Sequence, residues 1–143
     1  MTDDITMSKP NDTGGIIEIL EESGEPLSIE MTSKLEQRGR KCISQSMLKK
    51  AEAARKNASN DVEIIENLAK AHQYVKLEGG KTYMVYPHCF CLKNVKGVPA
   101  GYCECSRGYV MEVFERALGR PVDVIIESTV IRGGKECRFR VLV

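Results

Sequence analysis

Only two histidines, His72 and His88, occur in the 143 residues, and neither stands in a His-Glu-x-x-His run. The chain also has no Gly-x-Ser-x-Gly elbow, no Gly-rich phosphate loop of Walker type and no dinucleotide fingerprint. Each of those chemistries needs its base, metal or anion cradle at a fixed spacing, so the familiar hydrolase and nucleotide mechanisms have little to work with. No apolar run approaches the roughly 20 residues of a membrane-spanning helix. Net charge is only +1, with 21 Lys and Arg against 20 Asp and Glu, so no excess of one sign draws the chain to nucleic acid or an acidic membrane. The basic cluster Arg38-Gly39-Arg40-Lys41 is short and reads as a solvated helix face. The opening Met1-Thr2-Asp3-Asp4 lacks the basic region and apolar stretch of a secretory signal, so a cytoplasmic location is expected.

The length suits one domain with one core, and 42% hydrophobic with 29% charged residues is an ordinary globular balance. Residues 1–14 are polar and read as a disordered leader, with a single domain over 15–143. Ile16-Ile17-Glu18-Ile19-Leu20 is a short apolar segment, either an added strand or a first helical turn. From Ser28 the pattern is helical through Ile29, Leu35, Cys42 and Ile43, with Gly39 weakening the interior, and it continues through Met47, Leu48, Ala51 and Ala54. After a break at 57–60, Ser59 or Asn60 caps a further helix from Asp61 to about Lys70.

The character changes at His72, which reads as a helix-end residue. Tyr74–Leu77 and Thr82–Tyr86 form a hairpin around Glu78-Gly79-Gly80-Lys81. Ser106 is placed to cap a helix whose stripe is Tyr109, Val110, Val113, Phe114, Ala117 and Leu118, ended by Gly119. Val122–Ile131 is β-branched and strand-like, Gly133-Gly134 is a turn, and Cys137–Val143 alternates as a final strand. The fold class is therefore α+β: N-terminal helices packed on an antiparallel sheet of about four strands, with one crossing helix.

Four of the six cysteines stand in two Cys-x-Cys pairs, Cys89-Phe90-Cys91 and Cys103-Glu104-Cys105. In an extended segment residues i and i+2 point to one side, so each pair would present two sulfurs together. Loop 92–102 can fold the pairs against each other, giving the four thiolates of a tetrahedral zinc site at Cys89, Cys91, Cys103 and Cys105, or of an iron–sulfur cluster. In a reducing compartment clustered thiols bind metal or do chemistry more often than they form structural disulfides. A helix N-terminus beside Cys103 and Cys105 favours bound negative charge, which Arg107 could screen, and equally lowers a thiol pKa, so it serves metal and nucleophile alike. Plain buried cysteines are the third reading. Cys137, inward on the last strand, reads first as a small buried hydrophobe and second as a further thiol near the cluster. Cys42 could replace a ligand if its helix packs over the site. His88 and Glu127 are further ligand candidates, with solvated faces the plainer fate of both; the same holds for Glu104.

From Gly101 onward the chain resembles the 4-vinyl reductase-like domains, small α+β ligand-binding modules of bacterial aromatic-sensing regulators. The matching text is Gly101-Tyr102, Leu118-Gly119-Arg120-Pro121, the strand through Ile126-Glu127, and the turn and strand Gly133-Gly134-Lys135-Glu136-Cys137-Arg138-Phe139. The ending is also similar to that of the 2-amino-thiazoline-4-carboxylate hydrolase-like family. The whole pattern, with Gly39-Arg40-Lys41-Cys42 early and Tyr102-Cys103-Glu104-Cys105-Ser106 later, is similar to uncharacterised bacterial proteins of this size. The resemblance implies a buried hydrocarbon pocket beside a structural zinc held by cysteines and a glutamate. Cys137 matches one of those ligands and Glu127 approximately another; Thr129 and Val130 occupy the place of the sensors' next cysteine, and the Cys-x-Cys pairs lie outside that pattern.

Three functions follow as expectations. The first is a binding module for a small apolar or aromatic molecule with a cysteine-rich zinc site. The second is a cysteine-dependent enzyme using Cys103 or Cys105 on a small cyclic amide or thioester-like substrate. The third is an interaction protein, a homodimer through residues 16–20 or an exposed strand edge.

Overall fold

A computed structural model describes residues 28–87, 101 and 103–143. The expected leader, the 16–20 segment, His88, the Cys89–Cys91 pair and loop residues 92–100 lie outside the described residues. The described residues form four helices and four strands: α1 (Ile29–Lys41), α2 (Gln45–Lys56), α3 (Asp61–Ala71), β1 (Val75–Glu78), β2 (Lys81–Tyr86), α4 (Cys103–Leu118), β3 (Asp123–Ser128) and β4 (Cys137–Leu142).

Side-chain oxygens start the first three helices. Ser28 Oγ accepts from Met31 N, Ser44 Oγ from Met47 N, and Asn60 Oδ1 from Glu63 N. Each satisfies one of the amides that a helix start leaves without a partner. The helical periodicity over 28–56 is therefore two helices. The chain leaves α1 at Cys42 and the Ser44 cap restarts it as α2.

The sheet is antiparallel, in the order β1-β2-β4-β3. Gly79 and Gly80 both take positive φ, 56° and 78°, which suits the two-residue hairpin between β1 and β2. One rung runs Val75–Met84–Phe139–Ile126 across all four strands and marks the inner face. On that face Met84 and Phe139 are fully buried.

α4 lies between this face and the other helices. It packs on β3 and β4 on one side and on α1, α2 and α3 on the other, while α3 also reaches β1. Its stripe is accordingly wider than one amphipathic face, and Cys103, Cys105, Ser106, Gly108 and Met111 are buried along with the expected Tyr109, Val110, Val113, Phe114, Ala117 and Leu118. The helix starts at Cys103 rather than after a Ser106 cap. Gly119, φ 74°, ends it, and the Arg55 guanidinium lies where a side chain there would go.

Two glycines bring α1 and α4 together. A Cβ on Gly39 would sit 1.7 Å from the Cys105 carbonyl oxygen, and one on Gly108 would sit 2.1 Å from the Glu36 carbonyl oxygen. Backbone meets backbone at this crossing, which only residues without a Cβ permit.

Candidate functional site

α4 places Cys103 and Cys105 at its start, about 200° apart around the helix at 100° per residue. They therefore do not present two sulfurs to one side, as an extended pair would. Both are buried, at 2% and 1% exposure.

Cys103 turns toward the link between β3 and β4. Its thiol donates to Thr129 Oγ1 at 3.1 Å, in a buried contact. The same oxygen accepts the Arg132 N–H at 3.2 Å, and the Thr129 carbonyl accepts Gly134 N–H at 2.8 Å. Those bonds close the turn and explain why the β-branched run to Ile131 leaves the sheet after Ser128. Cys137, the first residue of β4, accepts the Val130 N–H on its sulfur at 3.4 Å. Two buried thiols thus hold one turn, Cys103 through the Thr129 side chain and Cys137 through the Val130 amide.

Tyr86, at the end of β2, pairs with Cys137, and Cys103 opens α4.

Other candidates lie elsewhere. Glu127 accepts from Arg138 Nε at 3.2 Å, and Arg138 also bonds Glu78 and Glu136 and sits 4.1 Å over the Tyr83 ring. This engages Glu127 with Arg138, away from the buried Cys137. Cys42 donates to the Arg38 carbonyl within α1. That helix does pack over the start of α4, since Gly39 faces the Cys105 carbonyl. Arg107 is engaged by carboxylates and by β3. Its Nη1 pairs with Glu36 at 3.0 Å and Glu104 at 3.7 Å, and its Nε donates to the Val124 carbonyl at 2.7 Å. Among the described residues no group of three or more His, Cys, Asp or Glu side chains is placed to hold a metal ion.

Beside the turn lies an aromatic row on the sheet. His72, Tyr74, Tyr86 and Phe139 follow one another edge to face, with ring centroids 5.8, 5.4 and 6.2 Å apart. His72 is buried, and its Nδ1 accepts the Tyr74 N–H at 3.1 Å. Nδ1 as acceptor puts the proton of a neutral imidazole on Nε2. Sequence reasoning placed His72 only at a helix end. Its signal was the Tyr74 and Tyr86 positions flanking the hairpin, which bring aromatic surface to the same edge.

A second polar constellation binds α1 to α4. Arg40 reaches Glu112 at 3.0 Å, Glu115 at 2.8 Å and Glu36 at 3.4 Å. Glu115 also accepts the Val122 N–H at 3.1 Å. Burial alone would push the Glu115 carboxyl up. The Arg40 guanidinium and the Val122 amide outweigh it and hold the group below the usual carboxylate value of 4.5.

The fold is shared with a sensory domain. The crystal structure of the phenol-responsive sensory domain of the transcription activator PoxR with phenol is similar, with a TM-score of 0.54 over 96% of this chain and 75% of that one. Identity is 14%, so the likeness is one of fold. Six solved chains match this fold in all. No family model matches the sequence. No curated protein matches it either. No helix among the described residues is long and apolar enough to cross a membrane.

Proposed function

We propose that this chain is a small-molecule-binding domain of the 4-vinyl reductase-like kind, taking a small apolar or aromatic ligand between α4 and the sheet beside a thiolate zinc site. The observation that carries the reading is the fold, shared over 96% of the chain with a domain that responds to phenol. The aromatic row from His72 to Phe139 supports it, because a planar ligand is held by edge-to-face rings and oriented by a few polar groups.

For the metal, the sequence offers Cys89, Cys91, Cys103 and Cys105. The arrangement of the thiols favours Cys137 over Cys105 as the fourth, because Cys103 and Cys137 serve one turn while Cys105 points away from Cys103 around the helix. On metal binding Cys103 would give up its proton, and the Thr129 hydroxyl would then donate to the thiolate.

Two measurements test this. Titration with phenol and its methyl and dihydroxy relatives should raise the melting temperature, because a ligand at about 100 times its Kd adds about 2.7 kcal/mol. No shift with any of them at millimolar concentration would sink the ligand. Elemental analysis should find one zinc per chain, lost in Cys103→Ser and Cys137→Ser but kept in Cys105→Ser. Metal-free wild-type protein would sink the zinc site and leave the ligand reading standing.

A further inference from the structure

Two side chains of α4 each serve two masters. Arg107 donates through Nε to the Val124 carbonyl of β3 and through Nη1 to Glu36 of α1. Glu115 accepts the Val122 amide at the entry to β3 and the Arg40 guanidinium of α1. The pairs are crossed: a carboxylate of α1 meets a cation of α4, and a cation of α1 meets carboxylates of α4. They flank the Gly39–Gly108 crossing, where backbones touch and a small tilt separates them.

These bonds add to the close backbone packing of α1 on α4. Its buried residues are Leu35 and Gly39, and Ile29 at its start is 91% exposed. A crossing where backbone meets backbone has no slack, so a shift of α4 against α1 moves the helix as a unit. β3, in turn, runs directly into the Thr129 turn that Cys103 and Cys137 hold.

We infer that Arg107 and Glu115 couple the seating of α1 to the position of β3, so that a shift of the Thr129 turn is transmitted to α1 and the reverse. The device requires neither a particular ligand nor a metal. Its physical content is a shared set of hydrogen bonds: if β3 slides, Val124 and Val122 carry Arg107 and Glu115 with them, and Glu36 and Arg40 lose their geometry. Coupling of this kind is reciprocal.

The test is hydrogen exchange of the full chain read in residues 29–41, with residues 61–71 as the internal control. Thr129→Val removes the acceptor of Cys103 and Arg132 and should speed exchange in α1 by about fivefold or more, leaving α3 unchanged. In an Arg107→Gln background the same substitution should have a smaller effect, because only the Glu115 link remains. Reciprocally, Glu36→Gln should raise the alkylation rate of Cys103 by a similar factor. Unchanged α1 exchange in Thr129→Val overturns the proposal, as does an undiminished effect in the Arg107→Gln background. Should Thr129→Val fail to fold, the Glu36→Gln arm decides alone, and wild-type alkylation of Cys103 there overturns it.

Discussion

A methyl group at Gly39 has no space, and its sensitivity follows from backbone rather than from helix propensity. The nearest atom is the Cys105 carbonyl oxygen, which cannot move without shifting α4. Gly39→Ala should therefore destabilise by about 2–3 kcal/mol in urea unfolding, although alanine is the better helix former. Gly133 is the control. Its φ of 90° strains any side chain, but nothing lies within 4 Å, so Gly133→Ala should cost about 1 kcal/mol. The sequence showed Gly39 only as a weak point in a helix, because its partner is 66 positions away in Cys105 and no local pattern records such a contact. Glu115 gives a second residue-level prediction. Its folded pKa lies below the unfolded one, so its contribution is complete above the unfolded value near 4.5 and lost as pH falls through the lower folded value. Stability should fall with acidification below about pH 4, and Glu115→Gln should flatten that part of the curve while lowering the plateau at pH 7.

Element boundaries follow from caps where the local sequence supplies them and from packing where it does not. A cap at Ser59 or Asn60 (it is Asn60), the hairpin at Gly79-Gly80 and the Gly119 stop were legible, since each is chemistry confined to a few neighbours. Ser44 carried the same signal, but the apolar spacing runs on through it and hides the interruption. Ser44→Ala should cost about 1 kcal/mol and fray the start of α2, visible as faster exchange at Met47 and Leu48. The start of α4 was misplaced for a different reason. Ser106 is a good cap by residue type, yet the helix begins four residues earlier than such a cap would start it, and Cys103 there has a buried partner in Thr129. The same contact ends β3 short of Ile131, because Thr129 and Val130 turn to meet the two thiols although their β-branched side chains favour a strand.

At the scale of the molecule, the layering of sheet, α4 and N-terminal helices makes α4 the common support. Alternation and helical spacing sufficed for the α+β class and for the inner face of β4. They could not show that α4 is buried on both sides, since the second covering comes from helices 60 or so positions away. The candidate site was legible in part: Cys103 and Cys137 emerged as candidates, but their meeting at Thr129 is a product of the β3–β4 turn. Phe139, in the shared rung and the aromatic row, should be the most costly of the core positions; Phe139→Ala should lower stability by about 3–5 kcal/mol in chemical denaturation. β4 follows every other described strand in the chain yet lies inside the sheet, between β2 and β3. During synthesis, then, β3 leaves the ribosome with its apolar Val124 and Ile126 and no strand to pair with, until residues 137–142 arrive. Nascent chains arrested before that point should hold an incomplete sheet, and the interval between residues 128 and 142 becomes the window in which chaperones would find this protein most exposed.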